Sequence, residues 1–380
     1  MNSLSVIKFY INNKRRFLSV FTSITLSTIL LYTVQMLIDS TFITSYNALV
    51  EPQKYYSSIT NKGRVLNPKL ADEIKSIDSV ENIIPWVFRF TNISCNIGGN
   101  TGTKVFTVKH EDMITLMSRL KLTLKEGRLP EPGTREIAIH TLLAKNKKLG
   151  IGDKIGSNID KEEIIQGERT IVGLIDGKSI VSFDSLETWL QDNKVDFEYL
   201  MGMIILPKEG ASVQLNRHLD SLHLPGLEVR TFNWANAQIS RDTENIKIIL
   251  TFISILVIVI VSFCTGFLCY IYFLQRQSEF GLLNAIGYSK QQVVNRALVE
   301  ISGMNAIGFI SGILISVLAG KMIDMVSYAP RGLILHVWYM NYLMIAACIP
   351  LFATLFSIIP VWRMLKGLDP ICIIEGGLKT

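Results

Sequence analysis

Four long apolar stretches divide this chain of 380 residues, at 17–39, 246–275, 297–320 and 338–362. Each reaches the roughly 20 residues that a helix rising 1.5 Å per residue needs to cross about 30 Å of hydrocarbon. Residues 40–245, between the first stretch and the second, are mostly polar. The pattern predicts a membrane protein, α-helical with four transmembrane helices in a 1+3 order. Between the first and second helices it predicts an α+β extracytoplasmic domain of two lobes. The remaining pieces are an amphipathic elbow at 1–16, inner and outer loops at 276–296 and 321–337, and a tail at 363–380.

Within the outer domain, Asn67-Pro68 opens a helical pattern carried by Leu70, Ile74 and Ile77. Strand-like runs follow at 80–90 and 104–108, separated by the turn at Gly98-Gly99-Asn100. Near the domain's end a strand (201–206), a helix (213–222) and a strand (227–232) are expected. Both ends therefore read as one membrane-proximal α/β lobe, about 50–115 with 200–240. An inserted, mostly β lobe is expected at about 116–199, where strands at 137–139 and 170–174 flank a helix at 141–149 among many glycine turns.

Charge fixes the expected sidedness. Lys8, Lys14, Arg15 and Arg16 precede the first span; Arg276, Lys290 and Arg296 lie between the second and third; Arg363 and Lys366 follow the fourth. Lysine and arginine gather on the cytoplasmic side of a membrane, so both termini are expected inside and residues 40–245 outside. This placement accounts for the net charge of +6 and argues against a nucleic-acid partner. The first stretch exceeds the apolar core of a signal peptide, and no small-x-small site follows near Asp39, so it reads as an uncleaved anchor. Cys264, Cys269 and Cys348 fall in spans, Cys372 in the tail, and Cys95 alone outside, which excludes a disulfide framework. Cys95 reads as a half-buried structural cysteine.

No catalytic or metal constellation emerges. GLIDGKS at 173–179 has three residues, not four, between its first glycine and the Gly-Lys pair, so it cannot wrap a phosphate as a Walker A loop does. His218 and His223 are five apart and lack the glutamate of a zinc-protease helix. His110 beside Glu111 and Asp112 reads as a solvated helix start. Neither a catalytic site, a cofactor site nor a metal site is expected in this chain.

The spans carry more information. Glu300 lies about one turn into the third, four residues after Arg296, and the two are expected to pair; a role in transmission is the alternative. Gly308 and Gly312 stand at small-xxx-small spacing, which predicts close helix packing and an oligomeric face. Between the second and third spans runs Arg276-Gln277-Ser278-Glu279-Phe280-Gly281-Leu282-Leu283-Asn284-Ala285-Ile286-Gly287. It predicts a short helix stopped by Gly287, with an apolar stripe of Phe280, Leu283 and Ile286. One charge in the stripe region, Glu279, favours docking into a cytoplasmic partner over lying on the bilayer.

This stretch resembles the inner-loop pattern R-x-x-E-[FI]-G-x-L-R-A-x-G of permeases of the FtsX/MacB family of type VII ABC transporters. Arg276, Glu279, Phe280, Gly281, Leu283, Ala285 and Gly287 match; Asn284 stands where the family usually has arginine. The resemblance extends to the basic Asn13-Lys14-Arg15-Arg16, to Glu300 with Gly308 and Gly312, and to Pro360, Arg363 and Asp369-Pro370 near the end. In the outer domain, Glu126-Gly127-Arg128-Leu129-Pro130, Glu136-Ile137-Ala138, Gly152-Asp153-Lys154-Ile155 and Val172-Gly173 are similar to the family's MacB-like periplasmic core.

The resemblance implies the permease subunit of an ABC transporter in a bacterial inner or plasma membrane. Such a subunit would not itself be an enzyme. A separate ATPase subunit would bind ATP and Mg, and a second permease copy, the same or related, would complete the assembly. Coupling to the ATPase would fall to Arg276, Glu279, Phe280, Gly281, Leu282, Leu283, Ala285 and Gly287, and transmembrane packing or transmission to Glu300, Gly308 and Gly312. The outer domain would move peptide, toxin, lipid-linked or lipoprotein cargo, with a membrane-fusion protein as a possible partner. The alternatives are an FtsX-type regulator that activates a cell-wall hydrolase, and a membrane-anchored sensor or adaptor without ATPase coupling.

Overall fold

A computed structural model describes residues 14–61, 66, 68–95, 99–194, 202–222 and 224–366. Its helices are α1 (Lys14–Leu49), α2 (Pro68–Lys75), α3 (His110–Arg119), α4 (Thr141–Lys147), α5 (Leu186–Asn193), α6 (Ser212–Ser221), α7 (Phe232–Leu274), α8 (Gln277–Ala285), α9 (Lys290–Ile323) and α10 (Met340–Lys366). Its strands are β1 (Ser57–Thr60), β2 (Val80–Pro85), β3 (Val87–Ser94), β4 (Asn100–Val108), β5 (Thr123–Gly127), β6 (Glu136–His140), β7 (Lys154–Ile155), β8 (Arg169–Asp176), β9 (Val181–Ser185), β10 (Gly202–Pro207) and β11 (Glu228–Arg230). Two compact units result: Met1–Leu37 with Ile246–Met322 and His336–Thr380, and Ile38–Asn245 with Ile323–Leu335.

The first unit is a membrane bundle, since α1, α7, α9 and α10 are each long and apolar enough to span a bilayer. Small residues set its packing. A Cβ on Gly312 would lie 2.7 Å from Thr28 Cβ, and one on Gly308 3.1 Å from Ile24 Cβ. Thr25 Oγ1 donates to the Gly308 carbonyl at 3.1 Å. The oligomeric face expected of these glycines is thus corrected: they are buried against the chain's own α1, because only a hydrogen at Cα lets the two backbones approach this closely. Asn305 Nδ2 reaches Thr354 Oγ1 at 2.9 Å and ties α9 to α10. By contrast α7 turns Phe252, Ile255, Ile260, Phe263 and Phe267 outward, an apolar surface suited to lipid or to another membrane helix.

The second unit is built on two sheets. β11-β1-β10-β2 form a four-stranded sheet, antiparallel throughout. Its β10 is buried along its whole length, and alternate residues serve different cores. Met203 and Ile205 pack with Leu70 and Ile74 of α2 and Leu215 and Leu219 of α6. Ile204 and Leu206 point the other way, to a core shared with Phe106, Val181 and Phe183 of the second sheet. That sheet is mixed, in the order β3-β4-β9-β6-β8-β5, with β7 pairing to β8; the β4–β9 and β6–β8 pairs are parallel.

Two expectations are corrected here. The strand-like run at 80–90 is two strands in two sheets, because Pro85 lacks the N–H that would continue a ladder. After it, Trp86 enters the aromatic cluster of Tyr56, Phe88 and Phe106. The lobe boundary near 115 shifts accordingly: β3 and β4 join β9 in the seven-stranded sheet, and the division falls between Pro85 and Val87. The pieces 126–130, 136–138 and 172–173 converge, since Gly127 and Gly173 face each other across β5 and β8. There Arg128 grips Glu136 through both terminal guanidinium nitrogens, Nη1 and Nη2.

A buried ion network braces the second sheet. Arg89 Nη1 lies 2.6 Å from Asp184 Oδ2, and Arg169 Nε lies 3.2 Å from Asp184 Oδ1. Arg169 continues to Asp192 at 3.0 Å. The segment after α9 also belongs to this unit. Tyr328, Leu333 and Leu335 are buried, and Gly332 (φ +70°) sits so close to α4 that a Cβ on it would lie 3.1 Å from Leu142 Cα. Ser40 donates to the Ile334 carbonyl. The region 321–337, expected as a short outer loop, is over Ile323–Leu335 a packed piece of the second unit.

His140 caps α4: its Nδ1 accepts the Leu142 N–H at 3.1 Å, so Nε2 carries the proton donated to the Gly177 carbonyl at 3.0 Å. Burial pushes this imidazole's pKa down, against the opposing pull of Gly177 and Asp176. An unfolded histidine titrates near about 6.5, so between that value and the lower folded one the unfolded chain binds more protons. Stability therefore falls as pH drops through that window, by at most about 1.4 kcal/mol per pH unit. Melting of the detergent-solubilised chain at about pH 7.5 and about pH 5.5 should show this decline, and His140→Asn, which still caps, should flatten part of it. Equal declines in both proteins would remove His140 as the cause.

Candidate coupling site

Where α7 ends, the chain breaks and restarts as α8. Arg276 occupies the N-cap position with φ −107°, and its N–H still reaches the Phe273 carbonyl at 3.1 Å. The far end is closed by a Schellman motif: Tyr288 N–H bonds the Leu283 carbonyl and Gly287 N–H the Asn284 carbonyl, both at 3.1 Å. Gly287, at φ +103°, supplies the left-handed residue this motif needs. Then Ser289 and Gln292 form a capping box that starts α9, the serine N–H to Gln292 Oε1 at 2.9 Å and the Gln292 N–H to Ser289 Oγ at 3.3 Å. Three local signals thus fix a nine-residue helix between two spans.

The chemistry under this helix is a buried charge cluster. Arg276 Nη1 donates to Glu300 Oε2 at 2.8 Å and to Tyr272 Oη at 3.2 Å, while Nε donates to Glu279 Oε2 at 2.8 Å. Arg296 Nε approaches Glu300 Oε1 at 3.3 Å. Glu300 is fully buried and Arg276 is 3% exposed, so the pair is held in a low dielectric. Phe273 and Phe280 stack beside it with ring centroids 5.5 Å apart, and the Arg276 guanidinium lies 4.9 Å from the Phe280 ring centre. Phe280 belongs to one buried cluster with Val20 of α1, Val293 and Ala297 of α9 and Val361 of α10. Every membrane helix therefore contributes to the seat of α8.

This seating redistributes the residues expected to meet a partner. Arg276, Phe280 and Gly281 are buried and Leu283 is half-buried, so the stripe of Phe280, Leu283 and Ile286 is corrected: two of its three members face the bundle. The exposed face carries Ser278, Glu279, Leu282, Ala285 and Ile286, with Leu282 58% and Ile286 67% exposed. Gly287 is exposed as well. The expected Arg296–Glu300 pair is present, and Arg276 was the missing partner. A hairpin of helices with a short connection brings residues 24 positions apart together, and no single-helix period shows that. The departure from the family pattern, Asn284, is half-buried. Residues 1–13, most of the expected elbow, and Asp369-Pro370 lie outside the described residues.

Residues 251–367 match the family model described as FtsX-like permease C-terminal. That segment contains α8, α9 and α10 and most of the membrane portion of α7. No curated protein matches the chain. Among solved structures, the chain is similar to the periplasmic region of MacB from Actinobacillus actinomycetemcomitans, with 12% identity and a TM-score of 0.31, over 53% of this chain and 96% of that one. It is also similar to the extracellular domain of the noncanonic ABC-type transporter YknZ from Gram-positive bacteria, with 10% identity and a TM-score of 0.29, over 47% and 99% of the two chains.

Proposed function

From an FtsX-like permease C-terminal region that includes the seated helix α8, we propose that the chain is the permease subunit of an ABC transporter. In this reading α8 is the coupling helix. A separate ATPase subunit binds its exposed face, and closure of that ATPase on ATP and Mg moves α8. The buried Arg276–Glu300 pair then carries the movement into α7 and α9, because a pair at 2.8 Å in a low dielectric resists separation. Residues 40–245 lie on the extracytoplasmic side and act on peptide, toxin, lipid-linked or lipoprotein cargo, while a second permease copy covers the apolar face of α7.

The observation that supports this reading is the contrast between the two faces of α8. One is locked into the bundle through Phe280 and Arg276, while the other leaves Leu282 and Ile286 in the open beside few charges. Exposed leucine and isoleucine on a short, well-capped helix are the anchors that a helix-in-groove contact uses. Leu282→Asp and Ile286→Asp should abolish co-purification of the ATPase and its stimulation by the permease, with the permease's melting temperature unchanged. Phe280→Asp should instead prevent folding. Retention of ATPase binding by the Leu282→Asp/Ile286→Asp double variant would dismiss the coupling role.

A further inference from the structure

In the second unit a cleft of ≈ 160 Å³ opens between β3, β4, β11, the end of α1 and the start of α7. Its walls include Phe88, Phe90 and Trp234, and its polar lining includes Gln53, Lys104 and Arg230. The polar groups are arranged in an unusual way. Lys104 is 3% exposed, and its Nζ donates to the Leu49 carbonyl at 3.0 Å and Tyr56 Oη at 3.1 Å. Among the described residues no carboxylate lies within ion-pair distance of it. Gln53 is 2% exposed, and its Oε1 has no hydrogen-bond partner among the described residues. Arg230 stacks 3.9 Å from the Phe88 ring centre, and its Nη2 reaches Glu228 while its buried Nε has no such partner.

A buried lysine without an anion, a buried guanidinium N–H without an acceptor and a buried acceptor without a donor are costly to keep. Together they define a complementary ligand. An anionic group would satisfy Lys104 and Arg230, a neighbouring N–H would satisfy Gln53 Oε1, and an apolar body would lie against Phe88, Phe90 and Trp234. We propose that this cleft binds an N-acylated amino acid through its carboxylate, the chemistry shared by the C-terminal residue of a peptide and a free N-acyl amino acid. Burial and the nearby Arg230 hold the Lys104 pKa well below the ordinary lysine range, and a carboxylate bound beside it would raise it again. The site belongs to the second unit alone and does not depend on coupling to an ATPase.

Saturation-transfer NMR on the full chain in detergent tests this with N-acetyl-leucine, N-acetyl-leucinamide and 4-methylpentanoate. The acid should bind at least roughly tenfold more tightly than the amide, since a charge-assisted pair is lost with the carboxylate. Lys104→Met and Arg230→Gln, each checked for an unchanged melting temperature, should weaken the acid by a similar factor. Gln53→Leu should erase the preference for N-acetyl-leucine over 4-methylpentanoate, which lacks the N–H. A C-terminally free tripeptide that competes with N-acetyl-leucine marks the source as a peptide end; failure to compete marks it as a free acid, and both outcomes support the site. Equal binding of acid and amide, or folded Lys104→Met and Arg230→Gln proteins that bind as the parent does, would overturn it.

Discussion

Glu300→Ala should be the most damaging single change in the membrane unit. The carboxylate is fully buried and meets Arg276 at 2.8 Å and Arg296 at 3.3 Å. Its removal leaves a 3% exposed guanidinium without its buried counter-ion, paired with the exposed Glu279. Breaking one side of such a pair costs about 3–5 kcal/mol, whereas replacing both partners by apolar groups is often neutral. The double variant Arg276→Met/Glu300→Leu should therefore recover the melting temperature that Glu300→Ala loses. If the pair also transmits movement, ATPase stimulation should stay low in the refolded double variant. Melting curves and ATPase assays on the same preparations separate the two roles. A Glu300→Ala protein that melts with the parent would show that the cluster is not under load.

Asp184→Ala should do in the second unit what Glu300→Ala does in the first. Asp184 is completely buried and is shared by Arg89 and Arg169, whose side chains are 9% and 1% exposed. Burial pushes its carboxyl pKa up against the pull of both arginines, so the ion is kept at a cost that its partners offset. Without it Arg89 loses its ion-pair partner and Arg169 keeps only Asp192 among the described residues, and a loss of about 3–5 kcal/mol is expected. Limited proteolysis should then release fragments from 87–185 at temperatures where the parent resists. Asp184→Asn, which retains one acceptor, should fall between. Equal resistance of the alanine variant and the parent would refute the bracing role.

The sequence made some of this architecture legible and hid the rest for physical reasons. Spans were visible because a run of some twenty apolar residues is rarely anything but a membrane helix. The end of α8 was visible too, since Gly287 is a local stop signal. The face that α8 exposes was not, because four helices decide which side is covered, and Phe280 and Leu282 are equally apolar. The pairing of Arg276 with Glu300 and the seating of Gly312 on Thr28 depend on tertiary approach in the same way. In the second unit the apolar run of β10 announced a strand, and the structure covers it on both faces. The parallel pairing of β4 with β9 joins residues far apart in sequence, which is why the lobe boundary was misplaced. Lys104 gave no sign, as a lysine in a strand ordinarily points to water.

The segment after α9 has a practical meaning for mapping which side of the membrane each part occupies. Gly332 rests against Leu142, and Ile334 is bonded to Ser40. A reporter enzyme or epitope inserted among residues 324–335 would pry this contact apart before it reported any location. Its silence would be read as a wrong address when the cause was a broken fold. An insertion at the turn of Gly210, which has open space beside it, should spare this contact and give an answer that concerns location alone.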